Sequence, residues 1–362
     1  MEGSFTPQPS SLSRKTYHIA GIQTTVFGLD ELPPQSSEVA CLWLLHPRLQ
    51  TQEYMTKIAT SVVDDWNKRL KDGGAGARQK VKGLIAVTFD QRNHGTRQVD
   101  PLANEAWKQG NPRHAQDMFS IFQGTARDVS LLIDYLPAYI FPKSEYSIST
   151  HLALGVSLGG HATWSCLFHE PRIRTGISII GSPDYINLLA DRARLSKLSS
   201  WTNSDPPGSQ FLGSEHFPLS FLETVRKYDP AALLLSHTQI AAKDAALKEG
   251  PLPDPSEQDK ERLRPLLTRT LAGKWILNIS GGADKLVPYY RSEPILTWLK
   301  KAIAPGGWFA DGGIHFEDLI FEKAGHELTG AMMDEVIRFV AESLSAPDDV
   351  PAKVGVVREA KI

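Results

Sequence analysis

Short apolar runs separated by stretches of helical periodicity constrain the fold of this chain most strongly. Runs rich in β-branched residues and bounded by turn residues begin at Val39, Leu84, His151, Gly176, Trp275 and Asp318. Such runs are typical of strands buried on both faces of a parallel sheet. Between them, apolar residues recur at helical spacing, for example over 129–136 and 333–340. The alternation predicts an α/β fold with a mostly parallel central sheet flanked by helices.

The alternation also predicts the domain organisation, because it is interrupted once. After Gly181 no convincing strand occurs until Trp275, and the segment between them contains apparent helices, a Pro-rich charged stretch at 250–265 and a cluster of aromatic residues. We interpret this segment as a mainly helical cap with one mobile connection. The aromatic residues are expected to form the core of the cap or, in part, to line an acyl pocket; they are Trp201, Phe211, Phe217 and Phe221.

The predicted boundaries follow from this interpretation. Residues 16–29 supply an antiparallel edge hairpin, and the cap is expected over Ser157. The expected segments are a flexible N-terminal segment at 1–15, an α/β core at 16–182 and 274–346, the cap insertion at 183–273, and a flexible tail at 347–362.

Composition excludes several classes of function. The 362 residues include 39 Lys and Arg against 41 Asp and Glu, a net charge of −2, so no basic excess is available for nucleic acid. The only cysteines, Cys41 and Cys166, lie in apolar runs and predict buried, reduced thiols in an intracellular compartment. The first twenty residues lack the apolar core of a secretory signal, and no run is long enough to span a membrane.

The C-terminal tripeptide suggests a compartment. Ala360, Lys361 and Ile362 resemble the relaxed form of the C-terminal address that directs proteins to peroxisomes. A receptor groove captures such an address in extended form, so this interpretation requires an unpaired and exposed tail. The sequence therefore leaves two localisations open, cytoplasmic and peroxisomal, the second with an import receptor as partner.

The strongest chemical signal is a Gly-x-Ser-x-Gly motif. Gly155 and Gly159 flank Ser157, directly after an apolar run and before a helical stretch. This pattern is typical of a sharp strand-to-helix turn that lifts a serine hydroxyl clear of a sheet, and glycine is needed where a Cβ would collide with neighbouring backbone. Ser157 is therefore the candidate nucleophile.

A serine hydroxyl requires a base, and the base requires an acid that orients it. Asp284 and His326 each follow a predicted strand, in the order Ser, Asp, His. Asp184 is the alternative acid, because it follows the strand that begins at Gly176. His161, on the predicted helix after Ser157, is interpreted as a packed or pocket-lining residue rather than as the base.

Together these motifs resemble the α/β-hydrolase fold superfamily. The resemblance covers residues 16–345 apart from the cap and rests on GVSLGGH, GGADKLVP and AGHE, which contain Ser157, Asp284 and His326 in the family's order. The segment from Asp90 to Gly95 also resembles the family's D-x-R-x-x-G segment. The resemblance implies a serine hydrolase in which Ser157 attacks, His326 transfers the proton and Asp284 orients the histidine.

The family also implies two backbone N–H donors that stabilise the oxyanion of the intermediate. Leu158, immediately after the nucleophile, takes one of these positions. Where the family usually has His-Gly-x, this chain has His46, Pro47 and Arg48, and proline has no N–H to donate. Arg48 is therefore the second predicted donor, with Leu49 as the alternative, and the side chain of Arg48 could also meet an anionic group of a substrate.

The predicted reaction is hydrolysis of a carboxylic ester, thioester or lactone, a small-molecule acyl substrate, without a cofactor. Two alternatives remain open: an acyltransferase that uses the same three residues, and a non-catalytic ligand receptor on the same scaffold. No metal site is expected, because paired His or Cys ligands at metal-binding spacing are absent from the sequence. Neither a phosphate-binding loop nor a dinucleotide-binding turn is present.

Overall fold

A computed structural model describes residues 12–73, 82–239, 247–346 and 355–362. In these ranges nine strands form one sheet in the order β1-β2-β4-β3-β5-β6-β7-β8-β9. The strands are β1 Arg14–Ile19, β2 Ile22–Phe27, β3 Glu38–Leu45, β4 Lys82–Phe89, β5 Ser147–Val156, β6 Ile173–Ile179, β7 Trp275–Gly281, β8 His315–Phe321 and β9 Val356–Lys361. Strands β3 to β9 run parallel to one another, and the hairpin β1-β2 joins β4 antiparallel. The predicted α/β architecture is confirmed.

Helices cover both faces of the sheet. They are α1 Thr56–Lys71, α2 His114–Ile140, α3 Leu158–His169, α4 Tyr185–Leu195, α5 Ser199–Thr202, α6 Leu219–Tyr228, α7 Pro230–Leu235, α8 Glu257–Thr270, α9 Tyr289–Ile303 and α10 Gly330–Ser345. Apolar residues of α1 and α10 pack on one face, whereas those of α2, α3 and α9 pack on the other. The parallel strands are buried on both faces, which explains their uninterrupted apolar runs.

The predicted insertion contains helices α4 to α8. Its aromatic residues pack mainly against one another: the rings of Phe211 and Phe217 lie 5.4 Å apart, and those of Phe217 and Phe221 lie 4.7 Å apart. The Pro-rich stretch at 250–265 is in part helical: α8 begins within it, and Ser256 caps that helix through a reciprocal capping box with Asp259. Residues 240–246 of the insertion lie outside the described residues.

Both ends of the chain depart from the predicted boundaries. Strand β1 begins at Arg14, inside the segment expected to be flexible. The larger correction concerns the tail, because β9 pairs in parallel with β8 from Val356 to Lys361. The N–H of Ile362 donates to the carbonyl of Ile320 at 2.8 Å, and the carbonyl of Ile362 accepts from the N–H of Glu322 at 3.0 Å.

This pairing argues against the expected peroxisomal address. The last residues form the edge strand of the sheet, and Glu359 additionally pairs with Lys300 at 3.0 Å. A receptor that captures the tripeptide in extended form would first have to detach this strand from β8. Residues 347–354 of the predicted tail lie outside the described residues.

Candidate active site

Ser157 lies on a strained turn between β5 and α3. Its backbone has φ 54° and ψ −110°, in the left-handed half of φ space that a side chain other than glycine rarely adopts. A Cβ on Gly155 would lie 1.9 Å from the carbonyl oxygen of Gly159, and one on Gly159 would lie 1.9 Å from that of Leu45. Backbone therefore approaches backbone on both sides of the serine, which explains both glycines of the motif.

The structure brings Ser157, His326 and Asp284 into one hydrogen-bonded chain. Ser157 Oγ lies 2.8 Å from His326 Nε2, and His326 Nδ1 lies 2.8 Å from Asp284 Oδ2. Asp284 follows β7 and His326 follows β8, so adjacent strand ends place the acid and the base together. The other carboxylate oxygen of Asp284 accepts from the N–H groups of Leu286 at 2.8 Å and Val287 at 3.0 Å.

These contacts assign the protons of the chain. Burial opposes ionisation of Asp284, but hydrogen bonds from His326 and from the Val287 and Leu286 amides lower its pKa below the usual value. An ionised carboxylate can only accept, so His326 Nδ1 carries the hydrogen and donates it to Asp284. In the neutral imidazole Nε2 is then the nitrogen without a hydrogen, and the hydroxyl of Ser157 donates to it. The arrangement leaves the imidazole ready to take the serine proton.

The alternative acid has a different role. Both carboxylate oxygens of Asp184 accept from Lys248 Nζ, at 2.9 and 2.8 Å, and one also accepts from the N–H of Asn187. Asp184 is thus the N-cap of α4 and forms a buried ion pair. His161 is also buried and receives a hydrogen bond from the Ser182 N–H at 3.0 Å, while burial lowers its pKa to about 3. The geometry therefore favours Asp284 as the acid and His326 as the base.

The loop that carries the second predicted N–H donor is anchored by a neutral histidine. His46 Nδ1–H donates to the Pro47 carbonyl at 2.8 Å, and His46 Nε2 accepts from the Gln91 N–H at 2.9 Å. Burial lowers the pKa of His46 to about 4, which keeps this pattern at neutral pH. Among the described residues no acceptor is assigned to the backbone N–H of Arg48 or Leu158, and both residues line the same cavity as Ser157.

The D-x-R-x-x-G segment forms a second anchored loop beside the site. Asp90 accepts from the N–H groups of Gln52 and Thr96, both at 2.8 Å, and so joins the connection after β3 to the connection after β4. Arg92 and Arg97 both donate to Asp128 on α2. These contacts hold residues 90–97 against the helix that follows.

Ser157 and His326 open on a cavity of about 560 Å³. One wall comes from the loop that contains Pro47 and Arg48. A larger share comes from residues 105–118, at the end of the connection from β4 and in the first turns of α2, which supply Trp107, His114 and Met118 among others. The described part of the insertion contributes only Arg192, Leu195 and Ser196, from the end of α4 and the residue after it.

The sequence left open whether the cap aromatics form the core of the cap or, in part, line an acyl pocket. None of the four predicted cap aromatics lines the cavity in the structure; Trp107 does, and its ring lies 6.2 Å from Phe211. Sequence reasoning missed Trp107, His114 and Arg192, because none of them belongs to a recognisable motif: Trp107 lies on a long connection, and the other two lie on helices α2 and α4. The one signal available in the sequence was Trp107, which follows Ala106 and is an aromatic residue in a largely polar connection.

Two findings bear on other kinds of site. Within the described ranges, no group of His, Cys, Asp or Glu side chains is arranged to hold a metal ion. No helix in that part of the chain is long and apolar enough to cross a membrane.

Comparison with known proteins shows similarity at the level of structure. No family model and no curated protein sequence matches the chain. TT1662 from Thermus thermophilus is similar with a TM-score of 0.53 and 17% identity, covering 93% of this chain and 99% of that one. The S-formylglutathione hydrolase from Agrobacterium tumefaciens has a TM-score of 0.46 and 15% identity, covering 93% and 97% of the two chains.

Alpha/beta hydrolase domain-containing protein 10 from mouse has a TM-score of 0.43 and 14% identity, covering 92% of this chain and 98% of that one. The similarity to TT1662 extends over nearly the whole of both chains and shows a shared fold. The chain therefore shares the fold of TT1662. Its parallel sheet, strained serine turn and order of three motifs are the features that the resemblance to the α/β-hydrolase fold superfamily implies.

Proposed function

We propose that this protein is a serine hydrolase that cleaves a carboxylic ester, thioester or lactone through an acyl-enzyme on Ser157. The observation that carries the proposal is the hydrogen-bonded chain from Ser157 Oγ through His326 to Asp284, with both links at 2.8 Å. Ser157, at one end of these hydrogen bonds, lines a cavity of about 560 Å³, a volume in the range of small-molecule sites.

Acylation uses the proton arrangement described above. His326 Nε2 takes the hydroxyl proton as Ser157 Oγ forms a bond to the acyl carbon, and the carbonyl oxygen becomes an oxyanion. The N–H groups of Leu158 and Arg48 are the proposed donors to that oxyanion. The leaving group then departs with the proton from His326, while Asp284 stabilises the transient imidazolium.

Deacylation repeats the sequence with water. His326 takes a proton from the water, whose oxygen attacks the acyl carbon, and then returns a proton to Ser157 Oγ. The products are a carboxylic acid and the restored enzyme. No cofactor is required at any step.

The proposal treats residues 183–273 as a cap. Arg192, Leu195 and Ser196 bring its first helix to the cavity wall, where they would limit which acyl groups enter. The connection from β4 to α2 and the start of α2 form another large part of that wall. Both segments would exclude water from the acylation step.

A covalent fluorophosphonate probe tests the nucleophile. We expect labelling of the wild-type protein at Ser157 and loss of labelling in Ser157→Ala. Ser196→Ala is the matched control, because Ser196 lines the same cavity without a contact to His326, and it should label normally. Labelling that persists in Ser157→Ala, or that maps to another serine, would contradict the proposal.

Product analysis distinguishes hydrolysis from acyl transfer. With a simple ester and water as the only acceptor, a hydrolase releases free acid in repeated turnovers. A single turnover that stalls until an alcohol or amine is added would assign the protein to the acyltransferases. Absence of labelling and of turnover would favour a non-catalytic receptor.

A further inference from the structure

One charged side chain of the cavity wall is not explained by the proposed hydrolysis. Arg192 lies on α4 and lines the cavity together with Ser157. Its Nη1 donates to His114 Nε2 at 3.3 Å and to the sulfur of Met118 at 3.1 Å, and its Nη2 donates to the Leu286 carbonyl at 3.0 Å. All of these acceptors are neutral.

The neutrality of His114 follows from its own contacts. The carbonyl of Glu105 can only accept, so His114 Nδ1 carries the hydrogen that it donates at 2.9 Å. His114 Nε2 therefore accepts from Arg192. Burial, reinforced by the nearby charges of Arg192 and Arg48, lowers the pKa of His114 to about 3, so this histidine contributes no charge at neutral pH.

Arg192 also lacks an ion-pair partner. In the described part of the chain, no carboxylate oxygen lies within 4.0 Å of its guanidinium nitrogens. The carboxylate of the adjacent Asp191 pairs instead with Arg194 at 2.7 Å and with Arg291 at 3.2 Å. Asp284 is occupied by His326.

The cation remains charged despite this environment. Burial lowers the pKa of Arg192 to about 10, which leaves the guanidinium protonated at neutral pH. Arg192 is partly buried, and the carboxylates of Asp284 and Asp191 act on it only from beyond contact distance, so a ligand anion in direct contact would be favourable. The Nε–H and one N–H on Nη2 have no assigned acceptor in the described residues, and neighbouring guanidinium nitrogens can hold both oxygens of a carboxylate.

A second arginine lines the same cavity. Arg48 donates to the Asn104 carbonyl and, in the described ranges, forms no ion pair within 4.0 Å, although Glu105 acts on it electrostatically from a greater distance. The charge of Arg48 also lowers the pKa of Arg192. Two cations that face one space without bound carboxylates favour an anion between or beside them.

We propose that Arg192, assisted by Arg48, binds a carboxylate of the substrate, so that the ester or thioester cleaved at Ser157 carries a negative charge of its own. This inference rests on the proposed hydrolase function and adds the substrate class. A monoester of a dicarboxylic acid places the charge in the acyl part, and an ester of a hydroxy acid places it in the leaving part. Both present the same chemistry to Arg192.

Two substrate pairs distinguish these sources. Monomethyl adipate and methyl hexanoate differ by a carboxylate in the acyl part, whereas 4-carboxyphenyl acetate and 4-carbamoylphenyl acetate differ by one in the leaving part. We expect wild-type kcat/KM to favour the charged member of at least one pair by about 10- to 100-fold, the range for a charge-assisted hydrogen bond. In Arg192→Met this ratio should fall to within about threefold of unity.

The ratio, rather than the rate, is the readout that a merely structural role would not change. Arg192 also holds the Leu286 carbonyl near Asp284, so its loss could slow both members of a pair equally. Lys108→Met is the matched control, since Lys108 is an exposed cation of the same cavity wall, and it should preserve most of the ratio.

A protection experiment decides the proposal even if these esters are poor substrates. We expect adipate to slow fluorophosphonate labelling of the wild-type protein and to have little effect on labelling of Arg192→Met. Normal labelling with no protection by adipate, and equal rates for charged and neutral esters, would overturn the anion site while the hydrolase function stands. Absence of labelling in the wild-type protein would overturn the proposed function itself.

Discussion

The cavity has a floor and a wall that are built in different ways. The floor contains Ser157 and His326, with Asp284 buried behind the histidine, and each of the three lies within a few residues of the end of a parallel strand. The wall includes residues 47–50, 105–118 and 192–196, which lie on the connections after β3 and β4, at the start of α2 and at the end of the first helix of the insertion. The sheet register positions the floor, whereas side-chain packing between connections positions the wall.

We infer from this difference that the floor carries the proposed reaction and that the wall selects the substrate. Parallel strands end at the same edge of the sheet, so the loops that follow them lie close together whatever their own sequences are. The wall has no such constraint, and connections can change without disturbing the sheet. We therefore expect changes in the floor to abolish turnover, and changes in the wall to alter which substrates are accepted.

The largest effect is expected from removal of the nucleophile. Ser157→Ala should lower kcat by at least about 10³, because no acyl-enzyme can form. The thermal unfolding midpoint should change little, and Ser196→Ala in the wall should retain near-normal kcat. Near-normal esterase activity of Ser157→Ala would show that the floor is not the catalytic centre.

The same chemical change at two carboxylates gives the next largest contrast. Asp284→Asn should lower kcat by about 10² to 10³, because an amide N–H facing His326 Nδ1 favours the wrong imidazole tautomer. Asp184→Asn should mainly affect stability, since it leaves Lys248 without its partner. Steady-state kinetics and thermal unfolding of both variants check this, and a larger loss of kcat in Asp184→Asn would reverse the assignment.

Two glycines test how closely the floor is packed. In Gly159→Ala the added Cβ would meet the Leu45 carbonyl oxygen at 1.9 Å, so the backbone must shift, and we expect a loss of about 1–3 kcal/mol in the free energy of unfolding. In Gly325→Ala no heavy atom lies within 4 Å of the added Cβ, and stability should be nearly unchanged. Denaturant titration measures the free energy of unfolding of both variants. Equal values would show that the turn at Ser157 tolerates a side chain at position 159.

The smallest effect concerns His161, packed behind the floor. Burial lowers its pKa to about 3, whereas an unfolded histidine titrates near ~6.5. Between these values only the unfolded chain binds the proton, so stability is complete above the upper value and is lost as pH falls. Wild type should therefore lose about 1.4 kcal/mol per pH unit more than His161→Gln between roughly pH 4 and 6.

The exposed His18 provides the control for this comparison. His18→Gln is measured in parallel, because it makes the same chemical change at an exposed side chain of β1. Parallel curves for wild type and His161→Gln would show that burial of His161 does not penalise its charged form.

The sequence predicted the floor because short motifs there obey strong physical constraints. The glycines around Ser157 are required by backbone contacts, and Asp284 and His326 follow apolar runs whose burial makes them recognisable as strands. Asp184 and Asp284 could be separated only in space, since both follow strands and differ in their partners, Lys248 and His326.

The sequence did not predict the wall or the last strand. In the sequence, Arg192 cannot be distinguished from a surface arginine of a helix. Only the structure shows that, among the described residues, no carboxylate contacts it. Strand β9 contains three charged residues among its six and is largely exposed at the sheet edge, so it lacks the apolar run of a buried strand. Its pairing with β8 replaces the free tail that the composition suggested.

The most direct test of the central claim is capture of the acyl-enzyme. Wild-type protein would be mixed with 4-nitrophenyl acetate, quenched in acid within the first turnover, and its peptides analysed by mass spectrometry. The account predicts one added acetyl group on the peptide containing Ser157, and none in Ser157→Ala. Turnover of the ester with no acetyl group on Ser157, or with the group on another residue, would contradict it.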